Sequence, residues 1–314
     1  MDAPLEPGAF PLERAEVRGV ELAYVRAGAG GYPLLLLHGW PETKRIWWRN
    51  IGPLAAVGFE VIAPDLRGFG DSGLAADDFY DTVAHSRDMH ELLTGVLGHD
   101  RCATVGGDLG GAVAQDLALR FDGLVERQVI FNTLLPRLRE RYRDAGLELE
   151  PGRGERLAAD YFIRQGTEPE ALLAELDSPE RRRRYIGEFY GHRFWAAPGT
   201  FTEADVDFLA APFLDEAKLL AGWANYGAAT RTRPSCERPL LYEPSAVPTL
   251  ALYGPEDHVI WRCFPEMCEI AFEELVGPFV VPGAGHFLQW ERAELLNQTL
   301  AYFLADLRGR GERR

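Results

Sequence analysis

Between Val20 and Asn132, short apolar runs alternate with stretches in which apolar residues recur at helical spacing. The runs VELAYVRAG, YPLLLLHG, FEVIAPDL, RCATVGG and RQVIFN show little polar alternation, which predicts strands buried on both faces. Helical spacing covers about 44 to 57, 80 to 97 and 109 to 121. Strands that alternate with helices predict a parallel sheet covered on both sides, a doubly wound α/β architecture. From about Pro136 the pattern turns to Arg-rich and aromatic helical segments, with no strand candidate until VPTLALYG at 247. A strand in GPFVVPGAG and a closing helix from about Trp290 to Leu307 complete the core. The expected organisation is a core domain of 1–136 and 246–314, interrupted by a helical cap at 137–245.

Composition narrows the partners. The 314 residues are 46% hydrophobic, enough for a sizeable core. Lys plus Arg total 33 against 48 Asp plus Glu, a formal charge of -15. Such a surface repels phosphate backbones and anionic lipid heads, so neither nucleic acid nor membrane is an expected partner. The opening MDAPLEPGAF lacks the basic stretch and apolar run of a secretory signal, and a cytoplasmic protein is expected. Cys102, Cys236, Cys263 and Cys268 form no CxxC pair or Cys/His grouping, so reduced thiols, no metal and no cofactor are expected. The run RRRR at 181 to 184 is flanked by Asp177, Glu180 and Glu188, which favours a solvated helix face with i,i+4 partners over an anion site. The terminal RGRGERR reads as a frayed tail.

One segment carries candidate chemistry. In TVGGDLGG, residues 104 to 111, Asp108 falls on the tight turn between a strand and a helix, with Gly106 and Gly110 two residues to either side. Small residues there are what a strained strand-to-helix elbow needs, although glycines beside an Asp also make ordinary turns and N-caps. Three further features occur where an elbow nucleophile requires them. The strand YPLLLL ends in HGWP, a loop whose N–H groups can hold an oxyanion; VPTLALYG ends in PEDH, with Asp257; and GPFVVPGAGHF puts His286 just past the last strand. Nucleophile, acid and histidine follow in the order of a hydrolase sheet, at the carboxyl ends of its strands.

Together these segments resemble the α/β-hydrolase superfamily, in its aspartate-nucleophile branch of epoxide hydrolases and haloalkane or fluoroacetate dehalogenases, over nearly the whole chain. HGWP resembles the HGxP signature of epoxide hydrolases, DLRGFGDSG at 65 to 73 their next loop, and GAGHFLQWERAE at 283 to 294 their histidine segment. The resemblance implies an α/β-hydrolase fold: a mostly parallel eight-stranded sheet flanked by helices, with an inserted all-helical cap. It implies hydrolysis of a small apolar epoxide to a vicinal diol through an ester on Asp108, cleaved by water that His286 and Asp257 activate. Asp257 is preferred over Glu256 and His258 by the likeness of GPEDHV to the family. Backbone N–H groups of Trp40 and Leu109 would form the oxyanion hole. Tyr226 in GWANYGAA and Tyr161 in DYFIRQG would protonate the epoxide oxygen, with Tyr190 and Tyr142 as rivals to Tyr161.

A carboxylate suits this chemistry. Serine attacking an epoxide would leave an ether that the enzyme could not cleave, whereas aspartate forms an ester and is ionised without help, with a reference pKa of about 3.9. The chain also departs from its relatives. Leu109 stands where dehalogenases carry a halide-binding Trp or an Arg, and where many epoxide hydrolases carry Trp; Gly107 stands where many of the latter carry His. Asn132, where some dehalogenases keep the triad acid, cannot serve as one. Dehalogenation and a catalytically silent ligand-binding protein are the other readings. His38, Asp65, Arg67 and Asp71 are expected to order loops, and His85, His90, His99 and His192, in surface-like helices or turns, have no expected role. Phe162, Phe189, Phe194, Trp195, Phe208, Phe213 and Trp223 predict an apolar pocket or cap-to-core packing. Monomer and homodimer are both compatible with the sequence.

Overall fold

A computed structural model describes residues 5–147, 149, 161–191 and 195–309. His192, Phe194 and most of the RGRGERR tail lie outside the described residues. Eight strands form one sheet: β1 (Leu12–Val17), β2 (Val20–Ala27), β3 (Tyr32–Leu37), β4 (Phe59–Pro64), β5 (Cys102–Gly107), β6 (Val125–Thr133), β7 (Thr249–Tyr253) and β8 (Leu275–Val280), in the order β1-β2-β4-β3-β5-β6-β7-β8. β2 is antiparallel to both β1 and β4, and the remaining pairs are parallel. Every residue of β3, β4 and β5 is buried, which is why their sequences lack polar alternation.

The sequence pattern did not reveal β1. Its residues LERAEV lie on the edge of the sheet and are mostly exposed or half-buried, so no apolar run marks them. Arg18 and Gly19, at φ 51° and 78°, turn it tightly into β2.

Helices α1 (Ile51–Ala56), α2 (Thr82–Glu91) and α3 (Asp108–Arg120) lie in the first half of the core. The helix expected over 44 to 57 is divided. A 3-10 turn over Lys44–Trp47, capped by Thr43, precedes α1, and the bend between them aims Arg45 and Arg49 at the insertion. α2 continues into a π-helical turn at Leu92–Val96.

Between β6 and β7 the regular elements among the described residues are all helical: α4 (Arg139–Asp144), α5 (Tyr161–Thr167), α6 (Pro169–Glu175), α7 (Pro179–Gly191), α8 (Glu203–Ala210) and α9 (Glu216–Thr230). A capping box of Thr202 and Asp205 starts α8. The insertion is seated by Arg45, which donates to the Phe208 carbonyl, and by Arg49, which pairs with Asp205. In the arginine run, Arg181 has its i,i+4 partner Asp177 and Arg183 pairs with Glu203 and Asp207. Arg182 corrects the expectation of a wholly solvated face: it is buried and donates to the Leu176 and Leu214 carbonyls and to Glu216.

The chain closes with α10 (Phe264–Ala271) before β8, then α11 (Leu288–Glu291), α12 (Ala293–Phe303) and α13 (Ala305–Arg308). The single closing helix expected from about Trp290 to Leu307 is thus broken twice, at Arg292, whose guanidinium is drawn back to the Pro282 carbonyl, and at Leu304. Two histidines expected near the surface are buried. His99 bonds Glu60 at 3.0 Å, and His85 lies against Phe69 beneath the DLRGFGDSG loop. His90 stacks on Phe121. The four cysteines are free thiols. No described helix is long and apolar enough to cross a membrane.

Candidate active site

Asp108 begins α3 at the carboxyl end of β5 with φ 45°, a strained value for a residue with a side chain. Crowding explains its neighbours. A Cβ at Gly106 would lie 2.5 Å from the Gly110 carbonyl carbon, and one at Gly110 would lie 2.2 Å from the Leu37 oxygen. The helix therefore packs backbone to backbone on β5 and β3. Thr133 Oγ1 donates to the Asp108 carbonyl at 2.5 Å and ties the elbow to β6. At position 107 a Cβ would meet the Phe131 ring at 2.3 Å, so the space a larger residue would need is already filled.

The Asp108 carboxylate faces two groups. Its Oδ1 accepts the Trp40 N–H at 2.8 Å, and its Oδ2 lies 3.4 Å from His286 Nε2. The Leu109 N–H, one residue into α3, donates to neither oxygen. His286 Nδ1 donates to Asp257 Oδ2 at 2.8 Å. Burial works against a charged imidazole, but Asp257 and Asp108 on opposite sides outweigh it and raise the His286 pKa well above its ordinary value. Of Glu256, Asp257 and His258, the one in contact with the imidazole is Asp257, whose Oδ1 is held by the N–H groups of Val259 and Ile260 at 2.6 and 3.3 Å.

Three polar residues contribute that sequence reasoning did not assign. Asn132, at φ 38° near the end of β6, donates to Asp257 Oδ2 (2.8 Å) and to the Gly254 carbonyl (3.0 Å), and accepts the Gly254 N–H (2.8 Å). An amide unsuited to be the acid instead holds it. Glu42, directly after HGWP, accepts the Gly39 N–H at 2.6 Å and the Gln289 amide at 2.8 Å, and burial pushes its carboxyl up to about 7. Glu291 accepts three backbone N–H groups around His286, and burial, opposed by those bonds, also pushes it up to about 7. Their only sequence signal is position: each lies in or beside a segment that carries a site residue.

The loop residues take the ordering roles their positions suggest. His38 Nδ1 donates to the Gly39 carbonyl and Nε2 accepts the Leu66 N–H, a neutral state that burial enforces by lowering its pKa to about 4. Asp65 receives Lys44 Nζ and the backbone N–H groups of Lys44 and Asp71, and Asp71 also pairs with Lys44. Arg67 forks onto Asp88.

Across from Asp108, the insertion presents two tyrosines. The hydroxyls of Tyr161, at the start of α5, and Tyr226, on α9, are 3.2 Å apart, and the Tyr226 ring meets Trp40 edge to face at 6.4 Å. Burial raises the Tyr226 pKa well above its ordinary value, with Tyr161 and the Asp108 charge adding to the effect, so its hydroxyl keeps its proton. The rival tyrosines are engaged elsewhere: Tyr190 donates to the Pro41 carbonyl at 2.5 Å and Tyr142 to that of Pro136 at 2.8 Å. Phe189, Trp195, Phe213 and Trp223 are fully buried and make edge contacts with Trp40 or Tyr161, which gives the site an apolar wall. Phe208 instead packs on Trp48 and Trp290, between the helical insertion and the rest of the chain. The Asp108 side chain remains 12% exposed while that of His286 is fully enclosed. A separate cavity of about 220 Å³ lies between α5 and α9, bordered by Gln165, Trp223 and Arg233.

A family model described as "alpha/beta hydrolase fold" matches residues 32–293. The chain is 31% identical to the soluble epoxide hydrolase of Corynebacterium sp. strain C12, over 94% of this chain and 97% of that protein. It is 29% identical to epoxide hydrolase A of Mycobacterium tuberculosis, over 95% and 98%. Among solved structures, the epoxide hydrolase CorEH without ligand superposes with a TM-score of 0.80 at 27% identity, covering 95% of this chain and all of that one.

Proposed function

The chain belongs to the α/β-hydrolase fold family as an epoxide hydrolase-like member, and from that premise we propose that it hydrolyses an epoxide to a vicinal diol through an ester on Asp108. The single observation that carries this reading is the pairing of a carboxylate and its histidine with two hydroxyls on the opposite wall, Tyr161 and Tyr226.

In the first step an oxygen of Asp108 attacks a ring carbon as the bond from that carbon to the epoxide oxygen breaks. The departing oxygen takes a proton from Tyr161 or Tyr226. Esterification then removes the Asp108 charge and, with it, part of what holds the His286 pKa up. The imidazole gives up its proton, which returns to the tyrosine that protonated the epoxide oxygen, and becomes a free base at the step that needs one. His286, oriented by Asp257, takes a proton from water, and the resulting hydroxide adds to the ester carbonyl, whose oxyanion the Trp40 N–H meets. Collapse expels the diol oxygen, which receives the proton from His286. The new carboxyl proton passes to His286 and restores the ion pair with Asp108.

A second reading has its own support. The indole N–H groups of Trp40 and Trp223 are buried without a hydrogen-bond partner, and their rings are 6.5 Å apart. Donors of this kind suit a leaving halide, so a dehalogenase is the alternative. A panel of terminal, internal and fatty-acid epoxides beside haloalkanes and fluoroacetate, with Asp108→Asn as control, separates the two by product. A single turnover with an aryl epoxide in heavy-oxygen water is expected to leave the label in Asp108 and not in the first diol. Label appearing directly in the diol rules out the ester, and no product with no label marks a silent binding protein.

A further inference from the structure

We propose that Glu291 is a positioning residue for the water-activating step: it locks the cap segment 195–197 onto the loop that carries His286, so that cap and core hold the base together. The inference rests on the ester mechanism above. Glu291 Oε2 accepts the N–H groups of Gly285 (2.8 Å) and Ala197 (2.9 Å), and Oε1 accepts that of Phe287 (2.9 Å). One carboxylate thus gathers the two N–H groups flanking His286 and one from the cap. The His286 N–H itself donates to the Trp195 carbonyl at 2.6 Å, and the Trp195 ring packs edge-on against the imidazole with centroids 4.7 Å apart. Main chain meets main chain at Gly285, where a Cβ would lie 2.4 Å from the Trp195 oxygen and 2.6 Å from the Ala197 nitrogen.

Asp257 fixes the imidazole through Nδ1 and leaves the loop's tilt about that bond to other contacts. Nε2 is already 3.4 Å from Asp108, and a misplacement of about 1 Å costs about a hundredfold in rate. Ester formation depends less on this lock. Asp108 is held by α3 and the Trp40 N–H; the Tyr161 ring touches Trp195 of the locked segment, with centroids 4.7 Å apart, but its packing on α9 and the Tyr226 hydroxyl hold it from the other side.

Glu291→Gln retains an oxygen for two of the three N–H groups and turns an amide N–H against the third. In rapid-quench single turnovers of the full chain with styrene oxide, ester formation on Asp108, followed by mass, is expected to stay within about threefold of wild type. Ester hydrolysis is expected to slow by about tenfold or more, so the ester accumulates. Gly285→Ala, which wedges the cap segment off the loop with Glu291 intact, is expected to give the same split and stands in if Glu291→Gln does not fold; ester formation itself reports folding. Equal slowing of both steps, or slowing of neither, overturns the proposal. Absence of any ester in the wild type overturns the mechanism it rests on, and the proposal with it.

Discussion

Asparagine at position 257 isolates the tautomer of the base. Asp257 Oδ1 accepts the Val259 and Ile260 N–H groups, so the amide oxygen of the variant takes that place. The amide nitrogen then falls where Oδ2 was, against His286 Nδ1 and the Asn132 amide. His286 Nδ1 must become an acceptor, its proton moves to Nε2, and the nitrogen facing Asp108 can no longer take a proton from water. The corresponding substitution in a Ser-His-Asp triad lowers kcat by about 10⁴ with the geometry intact, or about 5.5 kcal/mol. Attack by Asp108 needs no base, so Asp257→Asn is expected to form the ester within about tenfold of the wild-type rate and then stall, with diol release slower by about 10⁴. Excess aryl epoxide, acid quench, and mass analysis of the peptide containing Asp108 beside diol quantitation measure both steps. Multiple turnovers at near wild-type rate, or inactivity without trapped ester, would refute the reasoning.

Tyr226→Phe and Tyr161→Phe each leave one hydroxyl to meet the opening oxygen, so each is expected to slow ester formation by about a hundredfold, and the double variant by more, in rapid-quench bursts. Ester hydrolysis should change little. Asn132→Ala strips a bond from Asp257 Oδ2 and the partner from the buried Gly254 N–H, and is expected to cost about 2–3 kcal/mol in urea unfolding as well as slowing ester hydrolysis. His38 is held at about 4 against an ordinary 6.5; its folded value is the lower one, so its contribution is complete above about pH 6.5 and is lost as pH falls toward 4. The stability advantage of wild type over His38→Gln is therefore expected to shrink by about 2 kcal/mol between pH 7 and pH 5. A pH-independent difference would remove the neutral acceptor assigned to Leu66.

The parts of the molecule legible in the sequence are those that local geometry dictates. A strand buried on both faces must be an uninterrupted apolar run, so β3, β4 and β5 announce themselves. The elbow is equally legible, because the backbone contacts around Gly106 and Gly110 leave no room for a side chain whatever the rest of the fold does. Edge strand β1 and the breaks at residues 48–50 and Arg292 were hidden, since exposure and side-chain pull leave no period in the sequence.

The sequence by itself determined the fold class and the order of Asp108, Asp257 and His286 along the chain. The tertiary structure decided which polar groups meet. It turned Tyr190 and Tyr142 onto backbone carbonyls and brought Tyr161 to Tyr226; it set Asn132 beneath Asp257, Glu42 behind Trp40 and Glu291 under His286; and it buried His85 and His99. The reason is energetic. A buried polar group is tolerated only with partners, and here the partners come from segments far apart in the chain, so its identity carries no meaning until folding has supplied them.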